Sequence, residues 1–198
     1  MSKQLDLINE ILSFWFGDQA QTDLPSDELT NLWFGDDPKT DGKISERFKV
    51  ITLAAGKGDY DDWQQEPRSS LALILCLDQF PRKIFRDHAE AYAFDSKALA
   101  VCQQGLSQEF DHSLSLMERV FYYMPLQHAE DLAIQQQSVT LYHSLYSLSL
   151  IETRELYKTF LAFAIKYRDI IQQFGRFPHH NKALGRKSTA KELAFLKA

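Results

Sequence analysis

The sequence predicts an all-α fold, and three observations carry that expectation. Apolar residues recur at helical spacing through most of the chain, as in Leu5, Ile8, Ile11, Leu12, Trp15 and Phe16. The punctuation between periodic stretches is that of helices, with glycine after them and proline, Ser, Thr or Asp before them. No stretch alternates apolar and polar residues between the Asn/Gly turns that hairpins need. The periodic stretches amount to about seven to nine helices.

In chain order, a first amphipathic helix spans 5–16 and Gly17 stops it. Residues 18–42, rich in Asp, Gly, Pro and Thr, read mostly as loop. A short helical piece runs within them from Ser26, its cap, to Trp33. The next helix covers 44–55, with Gly56 and Gly58 at its end. Pro67 then suits a first turn, whose N–H groups have no partner in the helix anyway. The helix it opens, 67–77, holds the run Leu71–Leu77, apolar on every face and therefore central. Leu and Ala outnumber Val and Ile there, which favours helix over a buried strand. Asp95 is expected to cap a helix over 96–104 that Gly105 ends. Stretches 113–124 and 126–146 meet at Pro125, and a long helix over 154–173 stops at Gly175. The tetrad from Thr189 to Glu192 has the capping-box form and starts a last short helix.

At 198 residues the chain is expected to be one domain, 1–198. Charged residues, at 25%, are too few for a disordered chain. Aromatic residues, at 13%, are numerous enough that rings must fill the core. Trp15 and Trp33, each followed by Phe-Gly, read as core plugs rather than stacking platforms. Cys76 and Cys102 sit in apolar stretches and read as buried free thiols. The start of the chain has no basic stretch followed by an apolar one, so no signal peptide is expected. The longest apolar run has seven residues, Leu71–Leu77, against about 20 needed to span a bilayer. A soluble, cytoplasmic protein without a membrane partner follows. The net charge of −5 disfavours a nucleic-acid partner. Its distribution is uneven. Lys166, Arg168, Arg176, Lys182, Arg186, Lys187 and Lys191 face the single acid Asp169, so 166–191 carries +6 and residues 1–165 carry −11. Such a segment either folds back onto its own acidic body or forms an anion site.

Candidate chemistry gathers at three places where a bulky residue precedes proline: Phe80-Pro81, Met124-Pro125 and Phe177-Pro178. Proline removes a donor and crowds the carbonyl four residues back, so each junction is expected to break or kink a helix. The first places Asp78, Arg82 and Arg86 around such a break. At the second, a helix starting near Pro125 sets His128, Asp131 and Gln135 on one face. A carboxylate one turn from a His orients a general base or joins it as a second metal ligand, or equally serves the helix dipole. The third, 174–189, is dense in donors, with Arg176, His179, His180, Asn181 and Arg186. Loops on a rigid scaffold are where binding residues concentrate, and two guanidinium forks suit a carboxylate or phosphate. The candidate catalytic residues are thus His128, Asp131 and His179, and the candidate ligand-binding residues Asp78, Arg82, Arg176, Asn181 and Arg186. No nucleotide-loop, nucleophile-elbow or zinc-protease signature occurs, so no cofactor and no metal site is expected. Adjacent His179 and His180 are expected to point to different sides.

Taken together, Trp15-Phe16-Gly17, the stretch from Leu77 to Arg82, the stretch from Tyr123 to Asp131, and Gly175-Arg176-Phe177-Pro178-His179 with Asn181, Leu184-Gly185-Arg186 and Ser188-Thr189 resemble the bacterial family known as domain of unknown function 924. The resemblance runs from the first helix to the last. It implies antiparallel helix pairs stacked in a tetratricopeptide-like array, and it implies no established activity. Lys83, Tyr167 and His180 depart from the pattern, standing where Asn, His and Arg are common. A helical array offers a concave face, so a binding module for a peptide or protein partner is the first functional expectation. The alternative is an enzyme or small-ligand binder acting on an anionic metabolite through an Arg/His pocket built from the proline-flanked segments. Meeting of the three segments in one pocket favours the alternative.

Overall fold

The computed structural model, which describes residues 3–17 and 24–197, contains helices and turns and no strand among those residues. Helix α1 (Lys3–Phe16) buries Ile8, Ile11, Leu12 and Trp15. It stops at Gly17, whose φ of +65° is the left-handed value that favours glycine. Helix α2 (Asp27–Phe34) is capped by Ser26, whose hydroxyl accepts from the Leu29 N–H. The two Trp-Phe-Gly stretches meet, since Trp33 Nε1 donates to the Trp15 carbonyl at 2.8 Å. Both indoles are buried, as core plugs should be.

Helix α3 (Pro38–Lys57) begins earlier than the sequence suggests. Asp37 accepts from the N–H groups of Lys39 and Thr40, and Pro38 occupies the first turn. Residues 38–42 are therefore helix rather than loop, while 18–23 of that expected loop lie outside the described residues.

Helix α4 (Pro67–Ile74) does not break at Pro81. It widens into a π turn (Leu75–Gln79) and continues as α5 (Phe80–Ile84). The Phe80 N–H bonds the carbonyl of Leu75, five residues back. Pro81 cannot donate to Leu77, and the wider turn makes room for its ring. Every residue from Ser69 to Pro81 is buried, which puts this segment at the centre of the molecule.

Helix α6 (Asp95–Ser107) includes Asp95 and is not capped by it, because that carboxylate is turned to Arg82. Nor does Gly105 end α6. It is buried inside the helix, where a Cβ would stand 1.7 Å from the Tyr122 hydroxyl. Helix α7 (Leu116–Tyr122) opens on a capping box between Ser115 and Glu118. A single turn, α8 (Met124–Gln127), follows, and α9 (Leu132–Leu148) starts only after its cap, Asp131. Helix α10 (Arg154–Phe174) packs along α9 and ends at left-handed Gly175. Thr189 and Glu192 form the expected capping box of α11 (Ala190–Phe195).

One apolar cluster joins α1, α3, α4, the π turn and α6 to α10. A smaller one, Ile170, Ile171 and Phe177, seats the C-terminal segment on α10. Cys76 and Cys102 are free and buried. No helix among the described residues is long and apolar enough to cross a membrane.

Candidate functional site

The π turn carries Asp78 inward, where none of its side chain is exposed. A buried carboxylate needs partners, and it has three. His128 Nδ1 lies 2.7 Å from Asp78 Oδ1. Arg82 Nη1 stands 3.3 Å from the same oxygen, and Gln79 donates its amide to Oδ2. Burial works to raise the Asp78 carboxyl, but the charges of Arg82 and His128 outweigh it and hold the group below the usual carboxylate range. An ionised Asp78 accepts the Nδ1–H of His128, a pairing that puts the lone pair of the neutral ring form on Nε2. No protein group bonds Nε2 among the described residues.

Arg82 is itself bound on both sides. It donates to the Asp78 carbonyl at 2.9 Å and grips both oxygens of Asp95 at 2.8 and 2.9 Å. Its guanidinium also lies over the Tyr92 ring, 5.5 Å from the centroid. One turn on, Arg86 grips Asp41 of α3 at 2.6 and 3.0 Å.

His128 is not on one helical face with Asp131 and Gln135, because the chain leaves the helix between α8 and α9. The Gln135 amide nitrogen reaches the loop carbonyls of Leu126, Gln127 and Ala129. Asp131 gives its carboxylate to the Ile134 N–H as the α9 cap. The carboxylate that orients His128 is Asp78.

The basic third segment is tied down by two acids. Arg176 pairs with Glu192 at 2.6 and 2.8 Å, the same carboxylate that closes the α11 capping box. Arg186 pairs with Glu130 at 2.7 and 2.9 Å, and Glu130 also accepts from the Phe177 N–H. Arg176 and Arg186 therefore act as straps, one within the segment and one back to the acidic body. Buried Asn181 braces the loop through Ser188 Oγ.

These straps hold His179 and His180 beside the first two segments. A cavity of about 270 Å³ is lined by Arg82 and Arg86 from the first, His128 from the second, Phe177, His179 and His180 from the third, Asp87, Ala91 and Tyr92 from the turn after α5, and Tyr167 from α10. The three proline-flanked segments thus meet in one concave site. His179 and His180 share it rather than pointing apart, their rings 4.4 Å between centroids. Burial first, and then the positive charges of His179, Arg82, His128 and Arg186, push the His180 imidazole down to about 2. The same kind of field lowers His179. Both rings thus lie below the ordinary imidazole value, while the Arg82 and Arg86 guanidiniums on the wall are paired with Asp78, Asp95 and Asp41, and Asp87 lines the same cavity. No group of three or more metal-ligating side chains occurs among the described residues.

A second cavity, about 550 Å³, adjoins the first and shares Arg82, Arg86, His128 and Tyr167 with it. Its further walls include Trp33, Phe34, Phe160 and Phe163, together with Lys83 and Gln127. The sequence marks Trp33 as a core plug and Lys83 as a departure from the family pattern, and none of these residues as cavity wall. Trp33, Phe160 and Phe163 follow ordinary helical periodicity, and nothing in a one-dimensional pattern separates a ring on a cavity wall from a ring in the core.

The solved structure of a protein of unknown function from Agrobacterium tumefaciens has the same fold, with 34% sequence identity, a TM-score of 0.81, and coverage of 98% of this chain and 99% of that one. No curated protein matches. The family described as "Bacterial protein of unknown function (DUF924)" matches residues 11–198, which include the junctions at Pro81, Pro125 and Pro178, and the chain belongs to that family.

Proposed function

We propose that this protein binds a small anionic metabolite in the cleft around Asp78 and His128 and carries out acid–base chemistry on it. One observation carries the proposal: segments around residues 78–86, 124–128 and 177–180 converge on one cleft at an imidazole oriented by a buried carboxylate. Such convergence of polar groups in a concave pocket favours a small ligand over the peptide or protein partner expected of a helical array.

The roles divide among the chain's own residues. Arg82 and Arg86 supply positive charge on the wall, with Tyr92 and Tyr167 as phenolic donors. His128 Nε2 takes a proton from a bound ligand or, once protonated, returns it. Asp78 keeps the ring in that orientation and stabilises the imidazolium that forms, and Arg82 keeps Asp78 ionised. Arg82 and Arg86 in the cleft and Lys83 in the adjoining cavity outnumber the wall carboxylate Asp87 and favour an anion, so the ligand class is a carboxylate or phosphate. The two buried free thiols fit a reducing compartment, and a cytoplasmic site of action is part of the proposal.

Thermal unfolding in the presence of millimolar acetate or inorganic phosphate tests the site. A ligand held only by the folded state raises the melting temperature by mass action. The rise is expected in the wild type, reduced in Arg86→Gln, and retained in Arg176→Gln, whose guanidinium lies on the strap. No rise with either anion, or one that Arg86→Gln leaves untouched, overturns the proposal.

A further inference from the structure

The larger cavity is lined by two unlike kinds of side chain. Trp33 and Phe34 of α2 and Phe160 and Phe163 of α10 supply apolar wall. Phe34 and Phe163 are 53% and 47% exposed, so two large rings of this wall face water. Arg86, His128 and Lys83 supply polar wall, with the Lys83 ammonium next to the end of α2.

Lys83 is unusual among the cations of the site. Arg82 and Arg86 each grip a carboxylate. Lys83 is only 8% exposed and makes no ion pair among the described residues. Its ammonium donates to the carbonyl of Gly35 at 2.7 Å, at the end of α2. Asp41 and Asp36 act on the ammonium through space without ion-pair contact, so a ligand's negative charge at this cavity wall restores what burial takes away. Burial lowers the Lys83 ammonium, and an arriving anion works in the opposite sense.

The geometry points to an amphipathic acid as the ligand: an apolar chain or ring lying against Phe34, Phe160 and Phe163, with its carboxylate or phosphate turned to Lys83 and Arg86 beside His128. This deepens the functional proposal above and rests on it. A volume of about 550 Å³ accommodates such a body. The smaller chamber with His179 and His180, lined by polar groups, then lies next to the head group rather than the tail.

Calorimetric titration at neutral pH with three probes tests the inference: acetate for the head alone, 1-decanol for the body alone, and decanoate for both. Decanoate is expected to bind at least about a hundredfold more tightly than acetate, because each buried methylene adds favourable transfer free energy. It is also expected to exceed decanol by about tenfold or more, through the charge at Lys83. Lys83→Met, which keeps an apolar stem of similar length, should bring decanoate down to the level of decanol. Phe163→Ser, at a half-exposed position, should weaken decanoate and decanol and leave acetate unchanged. Decanoate no tighter than acetate, with acetate still bound, overturns the amphipathic ligand and leaves the anion site standing. Decanol as tight as decanoate, or Lys83→Met without effect, overturns the role of Lys83. Binding of none of the three overturns the inference together with the functional proposal.

Discussion

Asp78 Oδ1 and His128 Nδ1 lie 2.7 Å apart, although 50 positions separate them in the chain. The first residue comes from a π turn and the second from the end of a single helical turn. Their pairing dictates which nitrogen of the imidazole carries the proton. Nitrogen-15 spectra of the histidine rings should show neutral His128 protonated at Nδ1. Predominance of the Nε2–H form would mean that Asp78 is not its acceptor. Asp78→Asn leaves Arg82 and His128 without the buried charge they face, and breaking a buried pair from one side costs about 3 kcal/mol or more. Urea unfolding of the variant measures that loss.

His180 carries a pH dependence whose sign follows from its burial. In the folded protein its imidazole is pushed down to about 2, whereas in the unfolded chain it protonates near the ordinary value of about 6.5. Between those values the unfolded state binds the extra proton, so stability falls as pH drops below about 6.5. His180→Gln should flatten the dependence of unfolding free energy on pH between about 6.5 and 4. An unchanged slope would show that another group is responsible.

The C-terminal segment should loosen in acid. Burial opposes ionisation of Glu130, but the Arg186 guanidinium and the Phe177 N–H outweigh it and hold the carboxyl low. Arg176 and the Thr189 N–H do the same for Glu192. Groups with depressed values contribute stability above the unfolded carboxyl value of about 4.3 and lose it as pH falls through the folded one. Hydrogen exchange, corrected for the intrinsic effect of pH, should show 176–197 losing protection at pH values below about 4 before α4 does. Simultaneous loss in both would contradict this account.

Gly105 is required for space rather than for helix termination. Its Cα faces the Tyr122 hydroxyl, which Ser70 holds at 2.9 Å. Gly105→Ala should therefore destabilise by about 1–3 kcal/mol, the usual cost of overpacking, despite alanine's better helix propensity. Tyr122→Phe in the same background should recover part of the loss, since it removes the clashing oxygen. No difference between Gly105→Ala and the wild type in thermal unfolding would refute the steric role.

The helices were legible wherever local pattern and tertiary demand agree. α1 and α10 show long amphipathic periodicity, and the box at Thr189 and Glu192 is a contact three residues long. The start of α3 was hidden because Asp37, Pro38 and Gly42 carry turn chemistry as readily as an N-terminal cap. The three proline junctions were visible as the place of the site, but the pairings inside it were not. Asp131 looked like the partner of His128 because it is three residues away, and Arg176 and Arg186 looked free because Glu192 and Glu130 are 16 and 56 positions off. Lys83 stood out only as a departure from the family pattern and Phe163 gave no signal, because exposure and the lack of an ion pair are properties of the folded chain.

The widened turn before Pro81 acts as a phase shift of one residue in the central helix. A residue advances an α-helix by about 100°, so every side chain beyond the shift is rotated by that amount from where an uninterrupted helix would put it. Deleting one residue from Leu75–Gln79 restores the plain phase and places the Pro81 ring over a carbonyl it cannot bond. It leaves Arg82, Lys83 and Arg86 facing the cleft, because the lost residue and the lost widening cancel, whereas narrowing the turn with all five residues kept turns the three away together. The cations of the site are thus oriented as one block by the width of the turn that precedes them.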